Sequence, residues 1–181
     1  PVKHLLLLCT SPGFGLVDAW LPVIRKLIEA GDVKIDFVFP DPSALRLADR
    51  NSILFKLTER FANNKVMYKG YSGHFFVAST LTEACDGIKI NKIDLKILSF
   101  SKRLIKGKMS RYFILKVIGK YLLAVFKCIS YVKENIGHNK LLDFNLLNNI
   151  DAVLCNIVSV HKILDKELTS KIKEVQKFWM L

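Results

Sequence analysis

Two glycines and two hydroxyl side chains lie directly after the first apolar run of the sequence, in the segment from Thr10 to Gly15. Glycines permit positive φ angles and let a ligand approach the backbone, and hydroxyl groups can donate hydrogen bonds. The G-x-G spacing lacks the third glycine of a dinucleotide fingerprint and the lysine of a phosphate loop, which argues against NAD and ATP. Ser11, Gly13 and Gly15 either contact a ligand directly or only form a sharp turn.

Four further polar residues could take part in binding or catalysis. Asp18 is either the N-cap of the first helix or a site residue that binds a sugar hydroxyl or acts as a base. Ser159 and His161 follow an apolar run, and His161 either lines a crevice or is merely exposed. His74, flanked by glycine and aromatic residues, either suits a carbohydrate or packs within its own loop. Asp18 and His161 are thus candidate catalytic residues, His74 and Ser159 are candidate ligand-binding residues, and no metal site is indicated.

Positive charge is concentrated in one segment. The formal net charge is +12, and ten basic residues but no Asp or Glu lie between Leu95 and Lys133. Apolar side chains fill most of the circumference of the helix expected there, with basic residues along one stripe. Such a helix can bind an anionic membrane surface or another anionic ligand, or it can pack on a sheet with its lysines solvated. The candidate membrane- or anion-binding residues are Lys102, Arg103, Lys106, Lys108, Arg111, Lys116, Lys120 and Lys127. Nucleic acid fits less well, because no stacking platform or recognised binding motif is present.

The elements that must position these residues alternate between strand and helix. Strands are predicted for Lys3 to Cys9, Val33 to Phe39, Lys65 to Tyr68, Asp94 to Phe100, Asp151 to Ile157 and Lys177 to Leu181. Helices are predicted from near Asp18 to Gly31, from Ser43 to about Phe61, from about Ser101 or Ser110 to Asn135 (one long basic helix), and from Asp165 to Val175; Tyr71 to Phe76 is expected to be irregular. This order predicts a Rossmann-like α/β fold with a mostly parallel, doubly wound sheet of about six strands. Ligands of such sheets bind beyond the carboxyl ends of the strands.

Length and cysteine usage limit the class of protein. The 181 residues suit a single domain, and the four cysteines are scattered without a C-x-x-C pair, as expected of reduced thiols in a cytosolic protein. No signal peptide or apolar stretch of about 18 residues is visible. Because the chain stops on the apolar residues from Phe178 to Leu181, we expect it to be the N-terminal half of a longer two-domain protein.

The segment from Lys3 to Gly15, the following helix ending at Gly31 and the strand Val33 to Phe39 resemble the N-terminal domain of two-domain, GT-B type transferases. That class includes glycosyltransferases, the similar UDP-sugar 2-epimerases and enzymes of the CDP-glycerol glycerophosphotransferase type. The resemblance implies that this domain binds the acceptor and no cofactor, with a nucleotide-activated donor held by a C-terminal domain.

The expected function is therefore transfer of a glycosyl or glycerophosphoryl group in surface-polysaccharide or lipid-linked glycan biosynthesis. The acceptor would be a glycan or a lipid-linked molecule, and the protein would be cytoplasmic and peripheral on the inner face of the cell membrane. Gly13, Gly15, His74 and His161 would line the cleft between the two domains, and this domain alone would be inactive. The alternatives are an enzyme like a UDP-sugar 2-epimerase and a non-catalytic Rossmann-like module for an anionic ligand or partner.

Overall fold

The computed structural model describes residues 2–9, 15–31, 33–46, 53–61, 65–107, 111–136, 139–155, 166–173 and 178–180. Its strands are β1 (Lys3–Leu8), β2 (Val33–Phe39), β3 (Val66–Lys69), β4 (Phe75–Ala78), β5 (Lys140–Leu141), β6 (Ala152–Cys155) and β7 (Phe178–Met180). Its helices are α1 (Gly15–Glu29), α2 (Pro42–Arg46), α3 (Ile53–Phe61), α4 (Leu81–Gly87), α5 (Lys92–Lys106), α6 (Phe113–Asn135) and α7 (Lys166–Lys173), with a 3₁₀ helix at Phe144–Leu147.

The strands form one open sheet in the order β5-β4-β3-β2-β1-β6-β7. Strands β3, β2, β1, β6 and β7 run parallel to one another, whereas β4 pairs antiparallel with both β3 and β5. The central strand β1 lies between β2 and β6, with Leu5 opposite Ile35 on one side and Ala152 on the other. The predicted α/β fold with a mostly parallel sheet is confirmed, and the described residues form seven strands where about six were expected.

Apolar side chains cover both faces of the sheet. On one face Leu7 and Phe37 pack with Ile24 of α1 and Phe55 of α3. On the other face Leu6, Leu8 and Val38 pack with Leu147 of the 3₁₀ helix and Leu168 of α7. Because successive strand residues point to opposite faces, a strand buried on both faces must be apolar throughout. This explains the unbroken leucine run of β1.

Several element boundaries agree with the sequence pattern. Strand β2 has the predicted limits, and β1, β3, β6 and β7 fall within or one residue beyond the segments predicted for them. Helix α1 ends before Gly31, whose φ of 80° is the left-handed conformation expected of a C-terminal glycine.

The predicted strand Asp94 to Phe100 is wrong, because these residues belong to helix α5. Asn91 caps this helix by accepting a hydrogen bond from the Asp94 amide at 2.8 Å. Buried Ser101 and Leu104 mark the face of α5 that packs against α6. The expected single basic helix is therefore a hairpin of two helices, α5 and α6.

Two short strands, β4 and β5, were not predicted. Phe75 and Phe76, expected to be irregular, begin β4, which pairs with β3 through Tyr68 opposite Phe76. Strand β5 has two exposed residues and pairs with β4 through Leu141 opposite Phe76. The helix predicted from Ser43 to Phe61 is divided into α2 and α3, and residues 47–52 between them lie outside the described part of the chain.

Candidate functional site

A cavity of about 590 Å³ lies where the carboxyl ends of β2 and β3 meet the α5–α6 hairpin. The segment after β2 contributes Asp41 and Arg46, and the end of β3 contributes Lys69 and Tyr71. Helices α5 and α6 supply the opposite wall with Leu95, Leu98, Lys102, Leu123 and Lys127. In open parallel sheets, this edge is where ligands bind. The cavity is therefore the candidate binding site.

The wall formed by the segment after β2 is ordered by a local cap. The Asp41 carboxylate accepts a hydrogen bond from the Ser43 amide at 2.8 Å, and α2 begins at Pro42. Asp41 therefore caps this turn, where the sequence indicated Ser43 as the cap. Asp41 is the only acidic residue among the described residues that line the cavity. One of its carboxylate oxygens is occupied by the hydrogen bond from the main chain.

The turn between β3 and β4 forms the floor of the cavity. The Gly70 amide donates to the His74 carbonyl at 2.8 Å, and the Gly73 amide donates to the Gly70 carbonyl at 3.1 Å. Gly73 has a φ of 94°, which side chains other than glycine rarely adopt. A Cβ atom on Gly70 would collide with the Glu134 carboxylate. Both glycines are therefore required by the geometry of this turn.

Glu134 of α6 fixes the hairpin to this turn. Its buried carboxylate accepts hydrogen bonds from the Tyr71 amide, from the Ser72 amide at 3.3 Å and from the Ser72 hydroxyl at 2.6 Å. Burial raises the pKa of Glu134 above its usual value, while the hydrogen bonds from Ser72 and Tyr71 and the nearby His74 oppose that rise. The floor of the cavity and the helix above it are thus joined by one side chain.

The two helices of the hairpin are packed closely against each other. A Cβ atom built on Gly119 of α6 would lie only 2.8 Å from the Leu104 Cβ of α5 and 3.2 Å from the Ser101 carbonyl oxygen. At the other end, Lys133 of α6 pairs with Asp94 of α5 at 2.6 Å. The packing of the two helices therefore fixes the positions on the hairpin from which Lys102 and Lys127 extend.

Arg46, Lys102 and Lys127 bring positive charge to the described lining of the cavity, and Asp41 brings one negative charge. Lys69 lines the cavity as well, but its ammonium lies 5.4 Å from the centroid of the Phe75 ring, which packs on the face of the sheet opposite the hairpin. A Cβ atom built on Gly73 would lie 4.0 Å from the Lys127 ammonium, which places that charge beside the floor. The excess of positive charge favours an anionic group at this site.

Tyr71 adds a neutral hydrogen-bond donor to the same wall. Its ring packs edge-on against Phe126 of α6, with 6.5 Å between the centroids. Burial raises the pKa of its phenol, and the positive charge of Arg46 opposes that rise while Asp41 and Glu134 add to it. The Tyr71 hydroxyl is therefore protonated at neutral pH and can donate a hydrogen bond.

Of the residues predicted in the glycine loop and after the strand Asp151 to Ile157, Ser11, Gly13, Ser159 and His161 lie outside the described part of the chain. Gly15 is the first residue of α1. Asp18 follows three residues later, inside the first turn, so its prediction as the N-cap is wrong.

The other histidine considered, His74, lies beside the cavity. His74 is exposed in the β3–β4 turn, and its ring contacts Tyr131 of α6 with 5.1 Å between the centroids. Among the described residues that line the cavity, His74 does not occur. This position favours its interpretation as part of the turn.

The predicted basic set is divided between two places. Lys102 and Lys127 line the cavity, whereas Lys108 lies outside the described residues. The other members are exposed on the hairpin, and they are Arg103, Lys106, Arg111, Lys116 and Lys120. The contributions of Arg46, Lys69, Tyr71 and Glu134 were missed. Arg46 and Tyr71 follow the carboxyl ends of the parallel strands β2 and β3, and Lys69 is the last residue of β3. Position at the carboxyl end of a strand was considered only for residues after β1 and β6.

The hairpin also exposes a large apolar area. Four residues of α6 are buried, Gly119, Phe126, Ser130 and Glu134, while Phe113 is 80% exposed and Tyr121 is 69% exposed. We use the term hairpin surface for the exposed apolar and basic side chains of α5 and α6 together. The large exposed apolar residues are Ile93, Ile97, Phe100, Phe113, Ile114, Val117, Ile118, Tyr121, Val125, Ile129 and Val132.

Within the described segments, no helix is both long and apolar enough to cross a bilayer. In the same segments, no group of three His, Cys, Asp or Glu side chains could hold a metal ion. Comparison of the chain with protein-family models, with curated proteins and with solved structures finds no match.

Proposed function

We propose that this chain is the acceptor-binding domain of a glycosyl or glycerophosphoryl transferase that docks on an anionic membrane surface. One observation carries the proposal: the hairpin surface, apolar and basic together, lies directly beside the cavity at the carboxyl ends of β2 and β3. A protein that takes a lipid-linked acceptor must hold its acceptor site close to the membrane, and the position of the hairpin surface beside the cavity supports such a role.

The apolar part of the hairpin surface is larger than solvation alone explains. Singly exposed apolar residues are common, but contiguous apolar patches on monomeric proteins mark sites of interaction. Along the first half of α6, Phe113, Ile114, Val117 and Tyr121 are all exposed. Aromatic and aliphatic side chains of this kind insert at the boundary between lipid headgroups and acyl chains.

The charge of the hairpin surface favours an anionic membrane over an uncharged apolar partner. No acidic residue lies between Leu95 and Lys133, and the two acids that flank this segment are both engaged. Asp94 pairs with Lys133, and Glu134 is buried against the β3–β4 turn. Lys116 and Lys120 are therefore left without a neighbouring negative charge in the sequence, and anionic lipids would supply it.

The finer fold assignment supports the acceptor role. We infer a doubly wound, Rossmann-like sheet, since α1 packs on one face through Ile24 and α7 on the other through Leu168. The carboxyl ends of the parallel strands β1 and β6 lie at the same edge of the sheet as the cavity, and ligands of such sheets bind there. Gly13, Gly15 and His161 would then border the acceptor, and the nucleotide-activated donor would be held by a second domain.

The docking step is tested by sedimentation with lipid vesicles. The protein is expected to bind vesicles that contain about 30% phosphatidylserine and not pure phosphatidylcholine, with binding weakened by salt. Lys116→Glu with Lys120→Glu should reduce binding by at least about tenfold, because each basic residue contributes about 1 kcal/mol near an anionic surface. The matched control is Lys26→Glu with Lys56→Glu, two exposed lysines on α1 and α3 that change the net charge equally.

An equal loss of vesicle binding in both double variants would show that only the net charge of the protein matters. That result would contradict docking through the hairpin. Absence of binding to anionic vesicles would also contradict it. Both outcomes leave the chemistry of the cavity to be judged separately.

The transferase assignment is tested with the full-length protein and nucleotide-linked donors. Release of the nucleotide from a UDP-, CDP- or GDP-linked donor is expected, and it should increase when a lipid extract containing acceptor is added. Absence of hydrolysis or transfer with all three donor classes would contradict the transferase. It would favour the second candidate, a non-catalytic module for an anionic ligand, which the basic residues Arg46, Lys102 and Lys127 of the cavity also suit. Acceptor-independent isomerisation of a UDP-sugar would instead indicate an epimerase.

A further inference from the structure

We propose that the cavity between β2, β3 and the α5–α6 hairpin binds a phosphate or diphosphate group. This inference deepens the proposed function, because it names the chemical group by which an acceptor would be held. The assignment of that group to an acceptor rests on the proposed function. The binding site itself follows from the side chains of the cavity.

The charges of the cavity match an anion that carries more than one negative charge. Arg46 lies beyond the carboxyl end of β2, while Lys102 and Lys127 belong to the hairpin. The single carboxylate among the described lining residues, that of Asp41, caps the turn after β2. Basic residues from three different elements thus line one space, and a ligand with a single negative charge would leave part of their charge unneutralised. Guanidinium and ammonium groups are the usual protein partners of phosphate.

The cavity is placed by local structure and does not depend on long flexible side chains alone. The Glu134 carboxylate holds the backbone of Tyr71 and Ser72 against α6. Gly73 forms part of the floor with a φ of 94°, a conformation in which a larger residue would be strained. Tyr71 and the three basic residues therefore line one defined space of about 590 Å³, within the range of small-molecule sites.

The cavity is also apolar on its hairpin side. Leu95 and Leu98 share one face of α5 with Lys102, and Leu123 shares a face of α6 with Lys127, because these residues are three, four or seven positions apart. A phosphate on an apolar chain would contact both kinds of side chain. A soluble phosphorylated molecule would use the cations alone, so the length of the apolar chain distinguishes the two sources.

The test is calorimetric titration of the full chain with inorganic pyrophosphate and, separately, with geranyl diphosphate. Saturable binding of pyrophosphate is expected, and Arg46→Ala and Lys102→Ala should each weaken it by about tenfold, as loss of one charge-assisted hydrogen bond does. Lys26→Ala and Lys56→Ala, which remove exposed lysines of α1 and α3 outside the cavity, should change it less than twofold. Circular dichroism establishes that each variant is folded.

Tighter binding of geranyl diphosphate than of pyrophosphate identifies a lipid source, and equal binding identifies a soluble one; both support the phosphate site. Absence of saturable binding, or equal weakening in the cavity and control variants, overturns it. Because this titration contains no membrane, it can fail while vesicle binding succeeds, and vesicle binding can fail while the titration succeeds.

Discussion

At the scale of single residues, one buried carboxylate decides how the cavity is built. Glu134 accepts hydrogen bonds from Tyr71 and Ser72, and Gly70 has no side chain because the carboxylate occupies that space. A carboxylate taken out of water must be hydrogen-bonded to be tolerated, and here the β3–β4 turn supplies the donors. The interaction joins residues more than 60 positions apart in the chain.

This environment gives a prediction about pH. Because burial raises the pKa of Glu134 from its usual 4.5, the folded state binds this proton more tightly than the unfolded state does. Relative to Glu134→Gln, the unfolding free energy of the native protein should fall as the pH rises from 4.5 through the raised pKa, and then stay constant. Each unit by which the pKa exceeds its usual value corresponds to about 1.4 kcal/mol. Urea denaturation from pH 4 to 8 measures the difference.

Glu29→Gln is the matched control, since Glu29 is an exposed carboxylate paired with Arg25 at 2.7 Å. Exposed ion pairs contribute little, so the difference between this variant and the native protein should vary by less than about 0.5 kcal/mol over the same range. The difference in unfolding free energy between the native protein and Glu134→Gln could instead stay constant with pH, or could increasingly favour glutamate as the pH rises. Either result would show that Glu134 is not disfavoured as an anion.

At the scale of elements, α6 has two different roles along its length. Its buried residues Gly119, Phe126, Ser130 and Glu134 are spaced by seven, four and four positions, which places them on one face. Most other positions are apolar as well, so the sequence alone could not indicate which face packs. The hairpin contact with α5 and the β3–β4 turn selects this face, and the hairpin surface is what remains exposed.

Two phenylalanines of α6 test this division. Phe126→Ala should lower the unfolding free energy by about 3 kcal/mol, since it removes a buried ring that packs against Tyr71. Phe113→Ala should change it by less than about 0.5 kcal/mol, because that ring is 80% exposed. Chemical denaturation of both variants provides the measurement. In vesicle sedimentation under native conditions, Phe113→Ala should reduce binding, whereas Phe126→Ala should not.

Similar losses of stability in the two variants would mean that the first turns of α6 are packed in solution. Unchanged vesicle binding in Phe113→Ala would remove that residue from the docking surface without affecting the packing argument for Phe126.

At the scale of the whole molecule, the sheet brings binding groups from distant segments to one edge. The order β3-β2-β1 places the carboxyl ends of three consecutive parallel strands next to one another. The α5–α6 hairpin then lies over the ends of β2 and β3 through Glu134 and Phe126. The net charge of +12 is therefore not spread evenly, because its most basic segment borders the cavity. Membrane docking and phosphate binding would share this side of the protein.

The sequence by itself determined the elements whose burial is complete or whose ends are marked by special residues. The apolar run of β1, the limits of β2 and the glycine after α1 were all predicted, since strand burial on both faces and a left-handed C-terminus each leave a local signal. It also indicated Lys102 and Lys127 as anion-binding residues, from the absence of acids around them.

Only the tertiary structure decided the elements and contacts that depend on distant partners. Residues 94–100 are apolar enough for a strand, and the capping of α5 by Asn91 with its packing against α6 makes them helical. The short strands β4 and β5 exist because each pairs with a neighbour. Arg46 and Glu134 reach the cavity and its floor in the same way, because the energy of a buried carboxylate or of neighbouring charges depends on groups far away in the chain.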